Sequence, residues 1–342
     1  MTYRITLVPG DRQFSAEEGE TILDAAIRAG VPMAYGCRSG TCGSCKARLL
    51  EGEVDYPHEP PTALTEQERG ADYILACQAV PRSDLVVEAI TPRQQVRVYP
   101  VRIEHMEPLA HDVMGLWLKL PGDKRMQFLA GQYIEFLLEG GRARAFSLAN
   151  PPHADSLLEL HIRYYPGGYF SEKVFHELKE KAVLRIRGPL GDFVLDEESD
   201  RPRILIAGGT GFAPVKGIIE HILAEGLHRP TWLYRGVRAR RDLYLHELAL
   251  GWAREHNWFH YVPVLSEPAA EDRWEGRTGL VHEAVVQDFP DPSGHDIYAA
   301  GPPVMVHSAR EALLALGLPV ERFHCDPFEF SKDARGKVTG TG

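Results

Sequence analysis

The residues best suited to chemistry in this chain of 342 residues are cysteines, five in all: Cys37, Cys42, Cys45, Cys77 and Cys325. The first three form C-x4-C-x2-C, and Cys77 follows after 31 intervening residues. Three thiolates from one tight loop and a fourth from a distant segment can converge on two irons, and this spacing is that of a [2Fe–2S] centre. Gly36, Gly40 and Gly43 let the loop turn where φ is positive. They also leave backbone N–H groups able to point at sulfur, which tunes the potential. A four-cysteine zinc site usually presents two C-x2-C knuckles, and Cys77 has no second cysteine beside it. A Rieske centre needs two histidines as ligands, and this loop has none. Met1 to Arg12 lacks a basic stretch followed by an apolar one, so no secretory signal is expected, and metal binding outranks a disulfide framework.

Two further groups of residues suit phosphates and flat rings. Arg144-Ala-Phe-Ser147 offers a guanidinium for phosphate and an aromatic face for stacking. About 20 residues on, Tyr165-Pro-Gly-Gly-Tyr-Phe-Ser171 opens a short helix. There Gly168 permits close approach, Ser171 is placed to cap, and a helix start favours an anion. Ile204-Leu-Ile-Ala-Gly-Gly-Thr-Gly-Phe-Ala-Pro214 joins a strand to a helix through Gly209, Thr210 and Gly211, the kind of turn that cradles a dinucleotide phosphate. It lacks the third glycine of the G-x-G-x-x-G fingerprint. Ala299-Ala-Gly-Pro-Pro-Val-Met305 adds a second turn at Gly301 and Pro302.

The elements that must position these residues fall into three blocks. Residues 1–92 read as a small α+β domain, with strands at 3–8, 46–50 and 85–90, a helix at 21–29 stopped by Gly30 and Pro32, and a capping box from Thr65 to Glu68. Residues 91–95 are polar, contain Pro92 and read as a linker. Residues 96–198 read as an antiparallel β-barrel, with strands near 98–103, 113–120, 133–138, 145–148, 157–164 and 183–187 and one helix near 172–178. Residues 199–330 alternate strands (203–207, 231–234, 260–265, 296–299) with helices (214–224, 243–252, 282–287, 304–316), the pattern of a parallel sheet covered on both faces. Residues 331–342 read as a polar tail.

These motifs carry resemblances. Residues 1–90 resemble the plant-type ferredoxins, a β-grasp family, which implies Cys37, Cys42, Cys45 and Cys77 as cluster ligands. The barrel resembles the flavin domain of the ferredoxin–NADP reductase superfamily in Gly131-Gln-Tyr, Arg144-Ala-Phe-Ser147, the Gly167-Gly168 turn and Gly188-Pro-Leu-Gly-Asp-Phe193. That implies FAD rather than FMN. Arg144 would pair with the pyrophosphate, Phe146 would lie against the isoalloxazine, Ser147 would bond near flavin N5, and Gly168 and Ser171 would face the pyrophosphate. The third block resembles the same superfamily's nicotinamide domain. Thr210 and Gly211 would contact the nucleotide, Gly301 and Pro302 would form the second turn, and Phe328 would cover the flavin. Ala300 stands where the family usually has cysteine, and Phe146 where many members have tyrosine. Arg235, Arg238, Arg240 and Arg241 could meet a 2′-phosphate, but Gly236-Val-Arg-x-x-x-Asp-Leu-Tyr resembles NADH-using oxygenase reductases, so NADH is expected over NADPH.

The module order resembles single-chain reductase components of bacterial oxygenases, and also CDP-6-deoxy-Δ3,4-glucoseen reductases. It implies electron flow from NAD(P)H through FAD and the cluster to a separate protein acceptor, an oxygenase component first and a deoxysugar dehydrase second. A redox sensor holding a cluster without turnover is the contrasting class. The net charge of −10 argues against nucleic acid or an anionic membrane surface. Residues 1–90 carry 14 acidic and 8 basic side chains, which hints at a basic partner. No apolar run approaches the roughly 20 residues of a membrane span. A cytoplasmic monomer is expected. The pair His256 and His260 lacks a third ligand, and the other histidines are read as surface or core residues.

Overall fold

The computed structural model describes the chain except Met1, residues 9–11, Gly30, Pro32, residues 36–37, Ser39, Cys42, Ser44, residues 58–60 and 90–95, Asp123 and residues 329–342. The expected helix stop at Gly30 and Pro32, the expected ligands Cys37 and Cys42, Gly36, the expected linker and the expected polar tail therefore lie outside the described residues. The chain forms two compact units: residues 1–96 with 190–192, and residues 97–189 with 193–342.

The first unit holds β1 (Thr2–Val8), β2 (Arg12–Glu17), α1 (Ile22–Arg28), β3 (Lys46–Glu51), β4 (Val54–Asp55), α2 (Glu66–Arg69), β5 (Tyr73–Leu75), β6 (Val80–Pro81) and β7 (Leu85–Ala89). Its main sheet runs β2-β1-β7-β3-β5, with β1 parallel to β7 and antiparallel to β2. Alternation puts Ile5 and Leu7 of β1 and Phe14 and Ala16 of β2 on the buried face. Across that face lies α1, which buries Ile22, Leu23, Ala25 and Ala26 and is capped by Thr21. Its first N–H groups reach back to the Cys77 segment: Ile22 donates to the Ala79 carbonyl and Leu23 to the Ala76 carbonyl. The Thr65–Glu68 capping box is present. Strands β2, β4, β5 and β6 are additions to the sequence reading; two of them have only two residues, too short for alternation to register.

The barrel of the second unit comprises β8 (Arg97–Ala110), β9 (Val113–Lys119), β10 (Tyr133–Leu137), β11 (Ala143–Ser147), β12 (Leu158–Arg163), α3 (Tyr169–Glu172) and β13 (Val183–Leu190). The order is β11-β10-β13-β8-β9-β12, and an antiparallel bridge from Leu148 to Leu160 joins its two ends. The expected helix starts three residues earlier, at Tyr169, and continues as a π-helix over Lys173–Glu177.

The remaining sheet is wholly parallel in order β17-β16-β15-β14-β18-β19: β14 (Arg203–Gly208), β15 (Thr231–Val237), β16 (Phe259–Leu265), β17 (Arg277–Thr278), β18 (Asp296–Gly301) and β19 (Phe323–Pro327). Helices α4 (Phe212–Ala224) and α5 (His246–Glu255) pack into the core on one face, and α6 (Val281–Asp288) and α7 (Pro303–Ala315) into the core on the other. Helix α5 begins later than its sequence pattern suggests, because Leu245 sits at φ 53° and breaks the helical run. Helix α4 starts at Phe212, ahead of Pro214, directly from the glycine turn. Edge strand β19 has no sequence forecast; His324, Cys325 and Asp326 do not alternate.

Candidate functional site

Two of the four expected cluster ligands lie among the described residues. Cys45 is in the turn that starts β3, and Cys77 follows β5; both are buried thiols. Pairing of β3 with β5 brings them together: the Cys77 N–H donates to Cys45 Sγ over 3.4 Å, and the Ala76 N–H to the Cys45 carbonyl over 3.1 Å. Gly40 and Gly43 both take φ of +82°. At Gly40 an added Cβ would lie 3.0 Å from Gln78 Cγ and 3.1 Å from Pro61 Cβ, so the loop closes tightly over the Cys77 segment. Gln78 Nε2 also donates to the Arg38 carbonyl at 2.9 Å. Two buried sulfurs, one already accepting an amide N–H, fit a thiolate-ligated cluster.

In the barrel, Arg144, Phe146 and Ser147 lie on β11, paired with Phe136, Ile134 and Tyr133 of β10. The half-buried Phe146 ring leans on Phe136 and Phe170, with centroids 5.8 and 5.4 Å away. Ser147 is 7% exposed, and its hydroxyl donates to Asp326 Oδ2 at 3.3 Å, across to β19 of the nicotinamide domain. Gly168, and not Ser171, is the N-cap of α3. The Ser171 hydroxyl instead donates to the Tyr165 carbonyl at 3.0 Å and accepts from the Tyr165 N–H at 3.2 Å, which holds the loop entering the helix. A Cβ on Gly168 would lie 2.6 Å from that hydroxyl, so only glycine fits.

The two glycine turns lie side by side at the carboxyl ends of β14 and β18. The sheet order changes direction there, which is where open α/β sheets bind ligands. A Cβ on Gly211 would meet the Ala300 carbonyl oxygen at 2.0 Å, and one on Gly301 the Gly208 oxygen at 2.6 Å. Each turn is thus shaped by the other. Thr210 is half-buried in the first turn, and Pro302 caps α7. The Phe328 N–H donates to the Gly301 carbonyl at 2.8 Å, which fixes the C-terminal segment beside the second turn. A glycine turn leading into a helix start at this end of the sheet fits a dinucleotide phosphate.

Arg163 was missed by the sequence reading. It ends β12, its Nε donates to Asp112 Oδ2 at 2.7 Å, and its Nη1 would lie 3.2 Å from a Cβ on Gly209. A cation beside the first glycine turn leaves no local motif, because β12 and β14 are far apart in sequence. Arg235 is a correction. It is fully buried, stacked 3.9 Å over the Phe212 ring, and donates to the Tyr244 carbonyl at 2.5 Å, so it is out of reach of a 2′-phosphate. Arg238, Arg240 and Arg241 are exposed at that strand end.

A buried polar cluster ties the barrel to α4. Lys216 Nζ lies 3.0 Å from Glu159 Oε2, 2.9 Å from Glu220 Oε1 and 3.2 Å from the Ala149 carbonyl oxygen. His161 Nε2 lies 2.9 Å from Glu159 Oε1, and Nδ1 lies 3.2 Å from the Tyr244 hydroxyl. Burial alone would raise the Glu159 carboxyl, but His161 and Lys216 outweigh it and hold it below its ordinary value. Burial pushes His161 down, so the ring is neutral, with Nε2–H toward Glu159 and Nδ1 accepting from Tyr244. Gly217 lets the helix approach: a Cβ there would lie 3.1 Å from the Asn150 oxygen and 3.2 Å from that of Leu148.

Three family models match in sequence order: a 2Fe-2S iron-sulfur cluster binding domain over residues 5–82, an oxidoreductase FAD-binding domain over 100–195 and an oxidoreductase NAD-binding domain over 205–311. The chain is 38% identical to the CDP-6-deoxy-L-threo-D-glycero-4-hexulose-3-dehydrase reductase of Yersinia pestis, covering 97% of this chain and 100% of that protein. It is 35% identical to the phenol 2-monooxygenase reductase component DmpP of Pseudomonas sp. (strain CF600), covering 98% and 97%. Among solved structures, that of the Amycolatopsis cytochrome P450 reductase GcoB superposes with a TM-score of 0.76 at 36% identity, covering 95% of this chain and 98% of that one.

Proposed function

Because this chain belongs to the iron–sulfur flavoprotein reductases, in which one polypeptide carries [2Fe–2S], FAD and NAD domains, we infer that it draws electrons from NADH and delivers them to a separate protein acceptor, an oxygenase component. When bound, the flavin accepts an electron pair as hydride and the iron–sulfur centre passes electrons on singly. The protein's own contribution is to hold and orient. We place its domains at residues 1–92, 96–198 and 199–330.

In this reading Cys37, Cys42, Cys45 and Cys77 hold the cluster. Arg144, Gly168 and Ser171 serve the flavin pyrophosphate, and Phe146 and Ser147 serve its ring. Gly209, Thr210, Gly211, Gly301 and Pro302 receive the nicotinamide nucleotide, and Arg163 adds a positive charge at the first turn. Phe328 shields the ring from water. One observation carries the reading: the Ser147–Asp326 hydrogen bond brings the flavin strand β11 against the strand next to the second nicotinamide turn. In this reading the two half-sites face one another, and pre-set proximity is a large source of rate for such a transfer.

A second reading substitutes a deoxysugar dehydrase for the oxygenase, and the 38% identity to the hexulose-dehydrase reductase favours it. The internal path is the same in both. An anaerobic NADH titration followed by visible absorbance and low-temperature EPR tests that path. Bleached flavin bands with a rhombic [2Fe–2S] signal support it; bleaching without the signal reduces the protein to a flavin reductase. NADH consumption on adding a purified hydroxylase component, against none with a CDP-hexulose dehydrase, separates the two acceptors.

A further inference from the structure

Among the described residues, the histidines outside the relay include a metal-ligating grouping with a buried member. His221 lies on α4, Glu225 ends that helix four residues on, and His153 lies in the short helical turn Pro152–Ala154 of the barrel. One ligand atom from each lies within 4.8 Å of the other two. The His153 and His221 rings stack at 28° with centroids 6.1 Å apart. His221 is only 8% exposed, and its Nδ1 is buried without a hydrogen-bond partner. Its other nitrogen, Nε2, sits 2.9 Å from Glu197 Oε1.

That last pair matters. A metal-bound imidazole almost always gives its second N–H to a carboxylate, which fixes the tautomer and turns the bare nitrogen toward the ion. Glu197 engages Nε2 of His221, and Nδ1 is the nitrogen left without a partner. Leaving a buried ring nitrogen without a partner carries a desolvation cost, which a coordinated ion would remove. Two imidazoles and one carboxylate make the donor set of zinc and its late first-row neighbours, not of calcium or magnesium. Ligands about 2.1 Å from a tetrahedral ion stand about 3.4 Å apart. The spread of up to 4.8 Å closes by rotation of His153 and Glu225, both exposed and able to move.

We propose that His153, His221 and Glu225 form a binding site for a divalent zinc-type ion, with Glu197 as the carboxylate behind His221. The ion bridges the barrel and helix α4, and so clamps the flavin domain to the nicotinamide domain. By contrast, in the group His111, Asp112 and Asp242 the Asp112 carboxylate is taken by Arg163 and Asp242 accepts the Ala239 N–H. It has no bare buried nitrogen.

The test is calorimetric titration of ZnCl2 into tag-free holoprotein, with the cluster absorbance followed to show that it stays intact. Wild type takes up one equivalent that His153→Ala and Glu225→Gln each weaken at least about tenfold. Both substitutions are at exposed positions, so folding is kept and FAD content checks it. Glu197→Gln, which touches no ion, weakens binding by about 10–100-fold. Zinc also raises the unfolding temperature of wild type and not of His153→Ala. No zinc uptake by wild type, or uptake unchanged in both His153→Ala and Glu225→Gln, overturns the site. These readouts do not depend on electron transfer, so the reductase reading stands or falls separately.

Discussion

Ser147 and Asp326, 179 residues apart, are joined by a hydrogen bond of 3.3 Å between the flavin strand and the edge strand of the nicotinamide sheet. It couples the hydroxyl at the expected flavin ring to the segment that carries Phe328. Ser147→Ala removes the bond with little change of volume. A hydrogen bond to a carboxylate contributes about 1.5 kcal/mol at the lower end of its range, or roughly tenfold in rate if expressed at the transition state. Stopped-flow flavin bleaching by NADH is therefore expected to slow by about that factor, with the NADH dissociation constant nearly unchanged. An equal loss in Asp326→Ala, with no further loss in the double variant, identifies the pair as the cause.

The two glycine turns are sterically interlocked, so Gly211→Ala forces a Cβ to within 2.0 Å of the Ala300 oxygen. The backbone must shift where the nucleotide is expected to bind. The variant is expected to keep its flavin and cluster spectra while KM for NADH rises at least about tenfold. Normal NADH saturation would refute the assignment of this turn.

Loss of a cluster ligand separates the two halves of the relay. Cys77→Ser is expected to abolish the reduced-cluster EPR signal and NADH-dependent cytochrome c reduction, while ferricyanide reduction through the flavin survives. Retained cytochrome c activity would place the exit point at the flavin.

Lys216 is 6% exposed between Glu159 and Glu220. Lys216→Met leaves the buried Glu159 and the half-buried Glu220 without that cation, and breaking such a group costs about 3–5 kcal/mol. Urea unfolding followed by flavin release is expected to shift accordingly. Glu159→Gln in the same background is expected to recover part of the loss.

Acid should act on this cluster in two steps. His161 titrates below its ordinary value in the folded protein, so its contribution is whole above about pH 6.5 and shrinks as pH falls below that, where the unfolded chain takes the proton first. Glu159 is also held low, so its contribution is whole above about pH 4.3 and is lost as pH falls further through the folded value. Stability measured against pH is expected to fall first below about 6.5 and again below about 4.3. The second step should be smaller in Lys216→Met, where its cause is reduced.

The features legible in the chain alone are local. The cysteine spacing, the glycines at turns that tolerate no Cβ, the Thr65–Glu68 capping box and the alternation of strands and helices all act within a few residues of themselves. Chain geometry alone therefore makes them legible. The short strands β4, β6 and β17 left no trace, because two residues cannot show a period. The tertiary structure decided which distant side chains meet. It buried Arg235 against Phe212, although its position at a strand end suggested a phosphate. It set Arg163 beside Gly209, joined Ser147 to Asp326, and gathered His153, His221 and Glu225 across two domains. Such meetings depend on how a barrel and a sheet pack, and packing is fixed by the fit of whole buried faces rather than by any short run of residues.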